Sequence, residues 1–166
     1  MSTTQTIYAQ LFEQESNAVL SLVSTIDPAN YMKPLKEGKA HPVWLLGHII
    51  NTHNFLINMS CCGGKSLIPR EWQPKFSPDF AGGVAPTQDA DFYPSWNELV
   101  ETFGVVSKAC VEGIKGLSDE AIVAELGDGF PEALKDFFKT VDNTLRTVTL
   151  HSAYHRGQMS VINLQG

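Results

Sequence analysis

His151 and His155 stand four residues apart in a stretch whose other positions on the same stripe are apolar. Four residues of α-helix turn through about 400°, so the two rings point the same way, roughly 6 Å apart along the axis. Imidazole binds Zn, Ni, Cu or Fe through one ring nitrogen, and a pair at this spacing can chelate one ion from a single helix. The plainer alternative is that one or both are packing or surface histidines. A shared ion needs a third ligand from another segment, and His41, His48 and His53 remain. His48 lies on the stripe of Trp44, Leu45, Thr52 and Phe55, at a depth where it can meet the last helix. His41 is on nearly the same face but at the helix start, where it is expected to be exposed or capping. His53 is about 140° round from His48 and cannot point at the same ion. The ranking is therefore His48 first, His41 second, and His53 a solvated or packing residue.

Other chemistries have less support. A zinc protease helix needs H-E-x-x-H, and the residue after His151 is Ser152. A ferritin-like di-iron bundle needs Glu-x-x-His, whereas Val148 precedes His151 and Leu45 precedes His48 by three. Gly64-Lys65-Ser66 resembles the end of a phosphate-binding loop, but its first glycine would fall at Met59. There is no G-x-S-x-G. Cys61, Cys62 and Cys110 form no disulfide framework and no C-x-x-C; two thiols at a helix end and one small core residue account for them.

Positioning these histidines requires helices. Apolar residues recur at three- and four-residue steps from Thr4 to Ile26, where Asp27-Pro28 ends the pattern. A second stretch opens at His41-Pro42 and stops at Gly63-Gly64. It carries two stripes, so its inner face is not fixed by the sequence. Residues 63–94 hold five Pro and four Gly with scattered aromatics, a long connection of the kind that is functional or wraps a surface. Ser95-Trp-Asn-Glu98 reads as a capping box before a third helix, through Leu99, Phe103, Val106, Cys110 and Ile114. A short helix is expected over 118–126, closed by Gly127-Asp128-Gly129. The last stripe runs from Leu134 to Ile162 and contains His151 and His155. No period-two run marks a strand. The expected fold is all-α: one domain over residues 1–166, a four-helix bundle with a long crossover connection between helices 2 and 3.

The balance of 12 Lys+Arg against 18 Asp+Glu, a net charge of −6, disfavours nucleic-acid binding. No apolar run reaches the roughly 18–20 residues that span a bilayer, and the N-terminus lacks a secretory pattern. A soluble, cytoplasmic protein is expected, with no nucleic acid or membrane as partner.

Trp44-Leu-Leu-Gly47-His48, together with His151-x-x-x-His155-Arg156-Gly157-Gln158, resembles the DinB/YfiT-like family of metal-binding four-helix bundles, over essentially the whole chain. The C-terminal motif is the more specific of the two. The resemblance implies three histidines holding one divalent ion, zinc or nickel, near one end of the bundle, and by motif position they fall on His48, His151 and His155. It also implies a homodimer and a small-molecule substrate, since characterised members include S-transferases and isomerases that use low-molecular-weight thiols.

Three imidazoles on one divalent cation leave an open coordination position, as in catalytic zinc sites. Such an ion lowers the pKa of a bound water or thiol. The leading expectation is a metal-dependent enzyme that transfers a small thiol or hydrolyses a small substrate. The alternative is a non-catalytic, metal-binding or stress-responsive module dimerising through helix faces, with the spare stripe of helix two as its interface. A third reading keeps the bundle with the histidines apart. Glu13, Glu15, Thr52 and Tyr154 are near enough to act as a base, each with an ordinary packing or surface role beside it. Arg156 and Gln158 are expected to face neighbouring helices or cap polar groups, Arg156 as a supporting rather than a reacting residue.

Overall fold

A computed structural model of the chain describes residues 3–127, 130–135 and 137–165. Helix α1 spans Thr3–Val23. Helix α2 spans Pro42–Thr52 and continues as a π-helical segment, His53–Cys61. A short α3, Trp72–Phe76, lies within the long connection. Then come α4 (Trp96–Lys115), α5 (Asp119–Val123), α6 (Glu132–Lys135) and α7 (Val141–Leu164). Among the described residues there is no strand; Glu125 and Thr140 pair in an isolated bridge. Asp128 and Gly129, expected to close the short helix, lie outside the described residues.

The four long helical pieces form the bundle. α1 packs against α4 and α7, and α2 with its π-helical continuation packs against the same two. α4 shows how the pattern works. The Ser95 hydroxyl accepts from the Glu98 amide at 3.2 Å and starts the helix. Leu99, Phe103, Val106, Cys110 and Ile114 then fall on one face, each fully buried. Each large apolar side chain in that row contributes roughly 1.5–3 kcal/mol by leaving water.

Three sequence expectations need correction. Both stripes of α2 are buried, and every residue from Pro42 to Ile50 is inside. The long connection folds back, and the Phe76 ring of α3 covers Gly47 so closely that a Cβ there would sit 2.2 Å from it. Helix two therefore offers no spare stripe for a partner. Next, the helix does not run uniformly to Gly63: from His53 it widens, and the Cys62 amide reaches back to Ile57. Finally, the stripe from Leu134 is not one helix. The chain breaks after α6, Phe137 is exposed, and α7 begins at Val141, where the Thr140 hydroxyl accepts from the Asn143 amide at 3.2 Å.

Candidate metal centre

α2 delivers His48 and α7 delivers His151 and His155 to one point. His151 Nε2 lies 3.1 Å from His48 Nε2 and 3.0 Å from His155 Nε2. The reading that keeps these rings apart is thereby overturned. At metal–nitrogen distances of 2.0–2.1 Å, separations of this size correspond to N–metal–N angles of about 90–100°. The group could hold one metal ion, and no thiol or carboxylate of the described residues joins it. Three protein donors are one fewer than a closed tetrahedral site requires.

The tautomers suit that role. His48 Nδ1 lies 2.7 Å from the Phe76 carbonyl, which can only accept, so Nδ1 carries the proton and Nε2 presents a lone pair. His155 Nδ1 is 2.7 Å from Gln158 Oε1, whose amide nitrogen donates to the Tyr154 hydroxyl at 3.2 Å. The same assignment follows there. Two lone pairs thus flank His151 Nε2, and one hydrogen between them can satisfy only one. A cation satisfies all three. His151 Nδ1 is buried without a partner, so packing alone orients that ring. Trp44 stacks on His48 at 4.8 Å and 15°, fixing its plane from the other side.

Burial also sets the protonation state. It pushes His48 down to about 4, helped by the charge of His155 and opposed by the Phe76 carbonyl. It pushes His151 down to about 3, with the other histidines adding to the effect. His155 is lowered by burial against the opposing Gln158 bond. All three rings are neutral at pH 7, the form that binds metal.

The remaining histidines are accounted for otherwise. His41 caps α2: its Nδ1 accepts from the Trp44 amide at 3.2 Å and its Nε2–H donates to the Thr87 carbonyl at 2.9 Å. Of the two expected roles, exposed or capping, it takes the capping one, and it is fully buried because the long connection closes over it. His53 is also buried, its ring 4.7 Å from Phe12 and 5.7 Å from Phe103, with neither nitrogen partnered. It packs and is not solvated. Arg156 forms a two-point pair with Glu15 of α1, 2.8 and 3.1 Å, so both are structural. Glu13 is exposed. The three cysteines are free, and burial pushes the Cys61 and Cys62 thiols up to about 12 and 11.

All three candidate ligands line a cavity of about 680 Å³, within the size range of small-molecule sites. Thr52 is on its wall, and the long connection contributes Gln73, Ser77 and Phe80. One feature escapes sequence reasoning, and another is only partly signalled by it. The Phe76 carbonyl that orients His48 is backbone and comes from the end of α3, a short helix inside a connection with no apolar period. Gln158 was legible as a neighbour of the pair, and its i+3 spacing from His155 is the signal that it reaches back to that ring.

The sequence model of the DinB superfamily matches residues 11–159, which include all three histidines. No curated protein matches the chain.

Proposed function

The chain belongs to the DinB superfamily, and on that premise we propose that His48, His151 and His155 hold one divalent ion, zinc or nickel, in a metal-dependent enzyme. The reaction is transfer of a small thiol to an electrophile, or hydrolysis of a small substrate. The supporting observation is the convergence of three Nε2 atoms on the wall of a cavity large enough for a substrate.

A bound divalent ion supplies Lewis-acid chemistry and lowers the pKa of a water or thiol that reaches it. The chain's own residues do the rest. The Phe76 carbonyl and Gln158 hold two imidazoles in the ligand tautomer. Burial keeps the rings neutral, so their lone pairs would be open to an ion and not taken by protons. The apolar walls limit water around the reacting atoms, which strengthens electrostatic interactions there.

The non-catalytic alternative predicts a closed site, and the cavity at the histidines favours the enzyme. We place the protein in the cytoplasm as a single domain; no helix among the described residues is long and apolar enough to cross a membrane. A homodimer through α7 is part of the proposal. Leu150, Tyr154, Gly157, Val161 and Leu164 recur at steps of four and three along one exposed face, the spacing of a helix–helix seam. A Cβ at Gly157 would meet nothing within the chain, which leaves room at that point for another helix to approach closely.

The test is conjugation of small thiols to electrophiles, with and without metal. Activity that disappears on metal removal, returns on reloading and is absent in His151→Ala supports the proposal. Full activity in the metal-stripped protein or in that variant refutes it. Sedimentation of wild type and Leu150→Glu tests the dimer.

A further inference from the structure

The cavity that meets the three histidines is walled by hydrocarbon. Trp44 and Phe55 come from the second helix and its π-helical continuation, Leu134 and Phe138 from α6 and the turn after it, and Val148 from α7. Phe80 and Phe137 belong to the same lining and are 75% and 66% exposed. Large aromatics are seldom left this open on two separate segments around one opening. Among the described lining residues, the polar ones are neutral amides and hydroxyls such as Asn51, Gln73 and Thr147, besides the histidines themselves. Away from the histidines, a charged group carried into such a space would lose its hydration with no opposite charge among the described lining residues to replace it.

We propose that the cavity selects substrates bearing an uncharged aromatic or alkyl group, seated between Phe80, Phe137 and the inner wall, with the reacting atom at the histidines. This rests on the metal-centre reading for the reacting end alone; the apolar selectivity belongs to the walls. Small thiols carrying several carboxylates are disfavoured as the occupant of this space. Arg70 borders a separate recess of about 350 Å³ that shares Asn51, Phe55 and Gln73 with the main cavity, so an anionic ligand would be drawn there instead.

The experiment uses zinc-loaded protein and three ligands with one metal-binding head: acetohydroxamate, benzohydroxamate and succinic monohydroxamate. Calorimetric titration is expected to give benzohydroxamate at least a tenfold advantage over acetohydroxamate, from the additional apolar area it buries. The succinic compound is expected to bind no more tightly than acetohydroxamate. Phe137→Ala and Phe80→Ala, both at exposed positions where folding is not at stake, are each expected to cut the benzohydroxamate advantage at least threefold. Equal affinities for the three ligands would overturn the proposal. So would tightest binding of the succinic compound, the more so if Arg70→Ala removes it.

A second arm separates this inference from the metal reading. Metal-stripped protein is titrated with the neutral fluorophore N-phenyl-1-naphthylamine. Binding that weakens in Phe137→Ala sustains the apolar selectivity even if the protein proves to hold no metal. Stoichiometric zinc without a benzohydroxamate advantage leaves the metal centre standing and sinks the selectivity.

Discussion

Gln158→Ala isolates the contribution of ligand positioning. Gln158 Oε1 accepts from His155 Nδ1 at 2.7 Å, and that bond keeps the Nε2 lone pair aimed at the other two rings. Without the acceptor, the imidazole divides between two tautomers and gains rotational freedom about its Cβ–Cγ bond. A hydrogen bond of this kind contributes about 1 kcal/mol net. Replacing the outer partner of a metal-bound histidine costs about 10–100-fold in affinity. The lower end applies here, because His155 is also held by the Tyr154 ring at 5.2 Å and is only 9% exposed. The expected loss is about tenfold, or about 1.4 kcal/mol. Competition against a chromogenic chelator measures it directly. Gln158→Glu keeps an acceptor and should bind within about threefold of wild type, whereas Gln158→Met, similar in size without an acceptor, should behave like the alanine variant. If Gln158→Ala binds metal as tightly as wild type, the tautomer argument is wrong.

His53→Leu tests the unpartnered buried imidazole. Burial holds its pKa at about 3, against an ordinary value near 6.5, so the unfolded chain takes up the proton first. Stability from this residue is intact above pH 6.5 and is lost as pH falls toward 3, by about 2 kcal/mol at pH 5. Urea unfolding of the variant should show no loss at pH 7.5 and a smaller decline by pH 5; an unchanged decline contradicts the assignment. Gly47→Ala forces a Cβ against the Phe76 ring and should cost about 1–3 kcal/mol in the same assay, with weaker metal binding because the Phe76 carbonyl moves with its ring. Arg156→Ala removes the pair with Glu15, partly screened at 36% exposure of the arginine, and should lower stability by about 1 kcal/mol, or about 2–4 °C in Tm, without changing metal content.

The candidate ligands were legible because two independent regularities agreed. His151 and His155 occupy places where a helical stripe calls for apolar residues, and the helical angle separates His48 from His53. The fold class was legible for the same reason, since α4 and α7 keep their three- and four-residue steps throughout, in α7 with His151 and His155 in place of two apolar residues. Contacts made by the aperiodic connection were not. Nothing at Phe76 signals that its carbonyl meets His48, and nothing at Thr87 signals that it buries His41. The widening at His53 falls on residues whose apolar spacing fits an ordinary helix, so nothing in the sequence marks it. The break between Leu134 and Val141 falls among residues that keep the helical period, so the period alone cannot show it.

The central claim is tested by metal analysis combined with X-ray absorption on the purified protein. The account predicts one divalent ion per chain, with imidazole nitrogen scatterers at about 2.0–2.1 Å, and its loss in His48→Ala and His151→Ala. A protein that stays metal-free after equilibration with zinc or nickel at neutral pH, or whose ion is surrounded by sulfur, would contradict it.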